Sequence, residues 1–132
     1  GRVRLLDKLS SLPNVHFLGA RQYAQVPNYL HSFEVAWIPF RYHDVTLKAS
    51  PIKFYEYLAA GRPTVSTKLP DLEQFSSVAH LASTSDEFME AITYALDDDT
   101  VERRAARMAV ARQHSWDARF EDMLQLISEL SA

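Results

Sequence analysis

Lys53 and Glu56 put a cation and a carboxylate three positions apart, so any helix containing them carries both on one face. With Tyr57 and Ala60 they complete an i, i+3, i+4, i+7 stripe. A carboxylate can accept hydrogen bonds from two vicinal hydroxyls, and a neighbouring ammonium can offset phosphate charge. Together they suit a diphosphate beside a ribose. Lys53 falls in the first turn of the expected helix, where the helix dipole disfavours a cation. A local rule broken there points towards function. The plainer alternative is a surface i, i+3 ion pair, and spacing alone favours it.

The helix that must hold this pair has firm local signals. Ser50 can cap it, Pro51 suits the first helical position, and Gly61 after Ala59 and Ala60 can close it in a left-handed turn. A helix start offers free N–H groups and partial positive charge, which favour an anion. Around it the pattern predicts a helix over Arg2 to Ser11, with Val3, Leu5, Leu6, Leu9 and Leu12 as its apolar face, and a short strand over Val15 to Leu18. Gln22 to His31 reads as a helix that Pro27 kinks or delays. Val35 to Ile38, Pro63 to Thr67 and Val78 to Ala82 read as strands, and Phe40 to Ser50 as a long loop. Thr84 to Glu87 resembles a capping box opening a helix to about Leu96, which Asp97-Asp98-Asp99 ends. Val101 to Gln113 is helical with four arginines, and Ser115 caps a last helix whose Trp116-to-Leu130 stripe is expected in the core.

Short apolar strands alternating with helices predict an α/β fold, a parallel sheet covered on both faces. Ligands of such sheets sit beyond the carboxyl ends of the strands. Those ends give three loops: Gly19 to Arg21, Phe40 to Ser50, and Lys68 to Pro70. The 132 residues, 47% apolar and 23% charged, suit one domain with a real core. A balance of 14 basic against 17 acidic residues argues against general nucleic-acid binding. The absence of cysteine excludes disulfides and fits a reducing, cytoplasmic setting. No apolar run is long enough to span a membrane. The chain opens on Gly1 and passes straight into an amphipathic run, so it is expected to be part of a longer protein.

Ser50 to Thr67 resembles the "SPxKxxEYLAxGxPVV" segment of GT-B glycosyltransferases of the broad group-1 or family-4 class. Val15 to Gly19 resembles the "VxFLG" strand of their C-terminal domain, and Ser115 to Arg119 the "SWxxR" start of its last helix. The resemblance implies a single, partial Rossmann-like domain over residues 1–132, the C-terminal, donor-binding half of a GT-B fold truncated at its start. It implies a nucleotide-diphosphate sugar as substrate, no cofactor and no metal. An N-terminal domain of the same protein would bind the acceptor. By similarity, Glu56 matches the glutamate that holds the donor ribose, and Lys53 a lysine near the diphosphate or sugar. The Ser50-Pro51 helix start would face the diphosphate. Ala20 and Arg21 would border the base, and Thr46 to Ala49, including Lys48, would lie near the sugar.

Many members carry two glutamates eight positions apart, but counting back from Glu56 reaches Lys48. Lys48 and Lys53 together suggest an anionic donor sugar. Asp97-Asp98-Asp99 reads as a helix-ending acidic turn rather than a metal motif, since it follows a helix. His43-Asp44 lacks a second histidine at ligand spacing. Arg103, Arg104, Arg107 and Arg112 read first as a solvated helix face. The alternative for them is a membrane-surface patch, which would seat the protein peripherally at the inner face of the membrane. Two other functions stay open: a GT-B-like nucleotide-sugar epimerase, and a non-catalytic α/β interaction module.

Overall fold

A computed structural model describes residues 2–131, with the side chains of Arg2 and Val3 outside the description. The expected place of Val3 on the first helix's apolar face therefore lies outside the described side chains. Strands β1 (Ala36–Ile38), β2 (Thr64–Thr67) and β3 (His80–Ala82) form a parallel sheet in the order β1-β2-β3. Trp37 pairs with Val65, and Ser66 with Leu81. The helices are α1 (Arg2–Ser10), α2 (Val26–His31), α3 (Asp44–Leu47), α4 (Ile52–Ala59), α5 (Ser85–Asp97), α6 (Val101–Gln113) and α7 (Trp116–Leu130). Two 3₁₀ turns, Tyr23–Gln25 and Pro70–Phe75, complete the elements.

All four residues of β2 are buried, as a central parallel strand requires. On one face Ile38 packs with Phe54 and Leu58 of α4, with Leu69, Leu72 and Phe75, and with Ala111 of α6. On the other face Val65 packs with Ala91 and Ala95 of α5, flanked by Phe88 and Ile92. The expected α/β sheet with helices on both faces is therefore present.

Side-chain caps start the later helices. Thr84 accepts the Glu87 N–H at 3.2 Å, and the Glu87 carboxylate accepts the Ser83 N–H at 2.7 Å. Thr100 caps α6 and Ser115 caps α7 in the same way. Helix α4 ends in a Schellman turn. Gly61 sits at φ +69°, its N–H donates to the Leu58 carbonyl, and the Arg62 N–H donates to Tyr57.

The structure corrects several expectations. Val15 to Leu18 forms no strand, and Phe17 and Leu18 are exposed. An extended segment needs a ladder partner, and this one meets no sheet edge among the described residues. Pro51, not Ser50, occupies the cap position of α4, which begins at Ile52. The Phe40 to Ser50 segment is not all loop, because α3 lies within it. Before α2 the chain turns in a 3₁₀ manner, and Pro27 sits in the helix's first turn, where its missing N–H costs nothing. The α7 stripe is not core: Trp116, Phe120, Met123, Leu124, Ile127 and Leu130 are all exposed. Leu5 and Leu6 of α1 are exposed too. Arg107 is not on a solvated face. It is 5% exposed, its guanidinium donating to the Gly61 carbonyl and to Asp99.

Two outcomes follow for stability. Gly61→Ala forces a Cβ into the left-handed region, 2.7 Å from Arg104 Cγ. We expect a loss of at least about 1–2 kcal/mol in urea unfolding. Burial raises the Asp99 carboxyl, but hydrogen bonds and charge from Arg104 and Arg107 outweigh it and hold its pKa below the usual carboxylate range. Its stabilisation is complete above the unfolded value of about 4 and is lost as pH falls through the lowered folded value. Asp99→Asn should therefore flatten the acid limb of stability against pH below about 4.

Candidate functional site

The carboxyl ends of the strands are tied together by side chains. The buried Thr67 hydroxyl, at the end of β2, donates to the Phe40 carbonyl at 2.8 Å. The Tyr42 hydroxyl donates to the Lys68 carbonyl at 3.1 Å. Inside the intervening loop Thr46 Oγ1 accepts the His43 N–H at 3.1 Å and reaches the Arg41 and His43 carbonyls. Its hydroxyl is thus engaged in holding the loop's own turn. Lys48 follows directly, at the end of α3. Ser50 and Pro51 then lead into α4, whose first N–H groups have no intrahelical acceptor.

Helix α4 buries Phe54 and Leu58 completely against the sheet and turns Lys53 and Glu56 away from it. Lys53 Nζ lies 3.2 Å from Glu56 Oε2. The lysine side chain is 60% exposed and the glutamate 17%. Glu56 lines a cavity of about 260 Å³ between α2 and α4. Tyr23, Val26, Pro27, Leu30 and His31 make one wall, and Ala59 and Ala60 the other. Arg62 links the end of α4 to the end of α2. Its guanidinium donates to the Ala60 carbonyl at 3.1 Å and to the Phe33 carbonyl at 3.0 Å, joining the two helix ends. Burial is also what pushes the neighbouring Tyr57 hydroxyl up in pKa, with Lys53 opposing and Glu56 adding to it.

This volume lies just below the range of roughly 300–1,000 Å³ usual for small-molecule sites. It suits one ring-sized part of a ligand, with the Glu56 carboxylate in the lining to fix orientation. Ala20 and Arg21 do not line it; both are exposed, and the Arg21 guanidinium sits 5.5 Å from the Tyr29 ring. The wall from the Tyr23–Gln25 turn and α2 was readable only as a helix's apolar stripe. What marks the wall is that Tyr23 remains exposed although it belongs to that stripe.

A broader hollow of about 460 Å³ beside Trp37, Tyr42 and Phe88 carries no ionisable side chain but Arg41 and Tyr42. A small one of about 50 Å³ beside His80 lies at the opposite ends of the strands. Among the described residues no three His, Asp or Glu side chains gather as a metal-binding group. Asp98 and Asp99 of the acidic turn are engaged by Arg103, Arg104 and Arg107.

Residues 2–125 match the family described as "Glycosyl transferase-like". The chain belongs to that family. It is 34% identical over 64 residues to the putative teichuronic acid biosynthesis glycosyltransferase TuaH of Bacillus subtilis (strain 168). That match covers 48% of the chain and 16% of the relative, so the chain corresponds to a small part of that protein's length. No solved structure matches it significantly. The family and the parallel α/β sheet together identify a glycosyltransferase domain of the GT-B, group-1 kind. No described helix of this glycosyltransferase domain is long and apolar enough to cross a membrane.

The exposure of Lys53 separates a ligand-facing role from a structural one. Exposed ion pairs contribute roughly 0–1 kcal/mol. Lys53→Ala should therefore lower the unfolding free energy measured by urea titration by no more than that, and a larger loss would make Lys53 a structural residue.

Proposed function

We propose that this domain binds the nucleotide-diphosphate sugar from which a glycosyltransferase takes its sugar, forming the C-terminal half of the GT-B fold. One observation carries the reading. Glu56 lines a mainly apolar cavity, with Lys53 and the start of α4 on the side nearer the sheet's carboxyl ends. A nucleoside diphosphate fits that sequence of chemistries. The base enters between α2 and α4, the ribose hydroxyls donate to Glu56, and the diphosphate meets Lys53 and the free N–H groups of α4. Lys53 gives up its bond to Glu56 for the phosphate. Ser50 and Pro51 border the diphosphate, and Thr46 and Lys48 the sugar. Ala20 and Arg21 stand outside the cavity, where they can border only the outer edge of the base.

The domain's share of the reaction is binding, orientation and stabilisation of the leaving diphosphate. It needs no metal or cofactor for that share. The acceptor and the group that activates it belong to another domain of the same protein, and the setting is the cytoplasm or the inner face of the membrane. The product is a glycan, polysaccharide or glycolipid.

Lys48 also supports a donor carrying a carboxylate. The name of the relative TuaH, which concerns teichuronic acid biosynthesis, supports the same choice. Lys48→Ala should abolish a preference for a uronic acid donor over a neutral one in competition assays. An unchanged preference would rule out Lys48 as its source.

The direct test is calorimetric titration of the natural-length protein with UDP, GDP and ADP, repeated on Glu56→Ala. One nucleotide should bind, and the substitution should weaken it roughly ten- to hundredfold, the worth of a charged hydrogen bond. Failure of all three nucleotides to bind would favour a non-catalytic module. Turnover of the nucleotide sugar without acceptor would favour an epimerase.

A further inference from the structure

Arg107 is the only ionisable side chain that lies buried among the described residues. A buried guanidinium is costly unless every face of it is engaged. Its Nε and Nη2 both donate to the Gly61 carbonyl, at 3.2 and 3.0 Å, across 46 residues of sequence. Its Nη2 also donates to Asp99 Oδ1. The other Asp99 oxygen accepts from Arg104 at 2.9 Å. Asp99 is fixed in turn by its place immediately before the Thr100 cap of α6, where the helix dipole favours a carboxylate.

The carbonyl so held belongs to the residue that closes α4. Apolar contacts through Phe54 and Leu58 decide which face of α4 meets the sheet, but they are non-directional and resist sliding along the axis weakly. Directional bonds at the helix end supply that restraint. Gly61 allows it, since any Cβ there would collide with Arg104 of the same cluster. Lys53 and Glu56 lie on the one two-turn helix that the clamp terminates.

We propose that Arg107 is a positioning residue for the donor site. Held by Asp99, it fixes the axial position of α4 and with it the place of Glu56 and Lys53 relative to the cavity. This rests on the donor-binding reading given above. Arg107 touches no ligand and acts only through the Gly61 end of α4. A sub-ångström shift of that helix moves the Glu56 carboxylate away from the ribose while the hydrophobic core stays closed.

The test uses the natural-length protein, titrated with whichever of UDP, GDP and ADP the parent binds. Arg107→Met, folded by circular dichroism at the titration temperature, should bind roughly tenfold or more weakly. Arg107→Lys, which keeps the charge and one direction of donation, should recover part of the loss. Ile92→Ala, which loosens the core on the opposite face of the sheet, should lower the melting temperature and leave the Kd unchanged. A folded Arg107→Met with parent affinity would overturn the proposal. So would a loss in both Arg107→Met and Ile92→Ala that only tracks the unfolded fraction. If Arg107→Met does not fold, Asp99→Asn carries the same two outcomes. Glu56→Ala, run alongside, separates the two levels. Parent affinity in Glu56→Ala overturns the donor site itself. Weakened Glu56→Ala beside unchanged Arg107→Met overturns only the positioning role.

Discussion

Helix α4 has to satisfy two demands at once. Its inner face must seal a three-stranded sheet, and its outer face must present a cation and a carboxylate to solvent at a defined place. Phe54 and Leu58, both fully buried, meet the first demand. The second depends on how the helix ends. The left-handed Gly61 turns the chain back into β2, and its carbonyl and that of Ala60 are claimed by Arg107 and Arg62. Two guanidinium groups at a helix C-terminus oppose the dipole's negative end and satisfy carbonyls that the helix itself cannot. One of them comes from α6, and the other reaches the end of α2. The element bearing Glu56 is thereby joined to both of its neighbours by directional bonds.

The cavity follows from the same arrangement. Arg62 bridges the ends of α2 and α4, and the gap between them is lined mainly by apolar side chains, with Glu56 and His31 as its ionisable groups beside the Tyr23 phenol. On the sheet's carboxyl edge, Thr67 and Tyr42 hold the long loop after β1 against the end of β2. The start of α4 therefore opens at the edge where parallel sheets bind ligands. A slot for a ring, a carboxylate for hydroxyls and a helix start for phosphate lie in the order in which a nucleoside diphosphate presents these groups. On the donor-binding proposal, this is the part that grips the leaving diphosphate.

What could be read from the residues was what local chemistry decides. The Ser50 to Gly61 helix, its left-handed close and the caps at Thr84 and Ser115 depend on neighbours within about one turn. Their positions held to within a residue or so. Features that depend on distant partners were read differently. Val15 to Leu18 has strand composition, yet an apolar run becomes a strand only beside an available edge. The α7 stripe has the period of a core helix, yet period says nothing about whether a surface exists to receive it. The arginines of α6 looked like a solvated row because the acceptor that buries Arg107 is a backbone carbonyl 46 residues away. A carbonyl has no residue type to read. The Lys53 and Glu56 pair was visible from spacing, whereas the cavity that gives it meaning forms only when α2 lies against α4.

A structure of the natural-length protein with its nucleoside diphosphate bound tests the central claim most directly. The account predicts a ribose whose hydroxyls lie within hydrogen-bond reach of the Glu56 carboxylate. The base should lie between Tyr23 and Ala60, and the diphosphate should sit over Lys53 and the first turn of α4. A nucleotide seated elsewhere on the sheet's edge, with Glu56 still paired to Lys53, would contradict it.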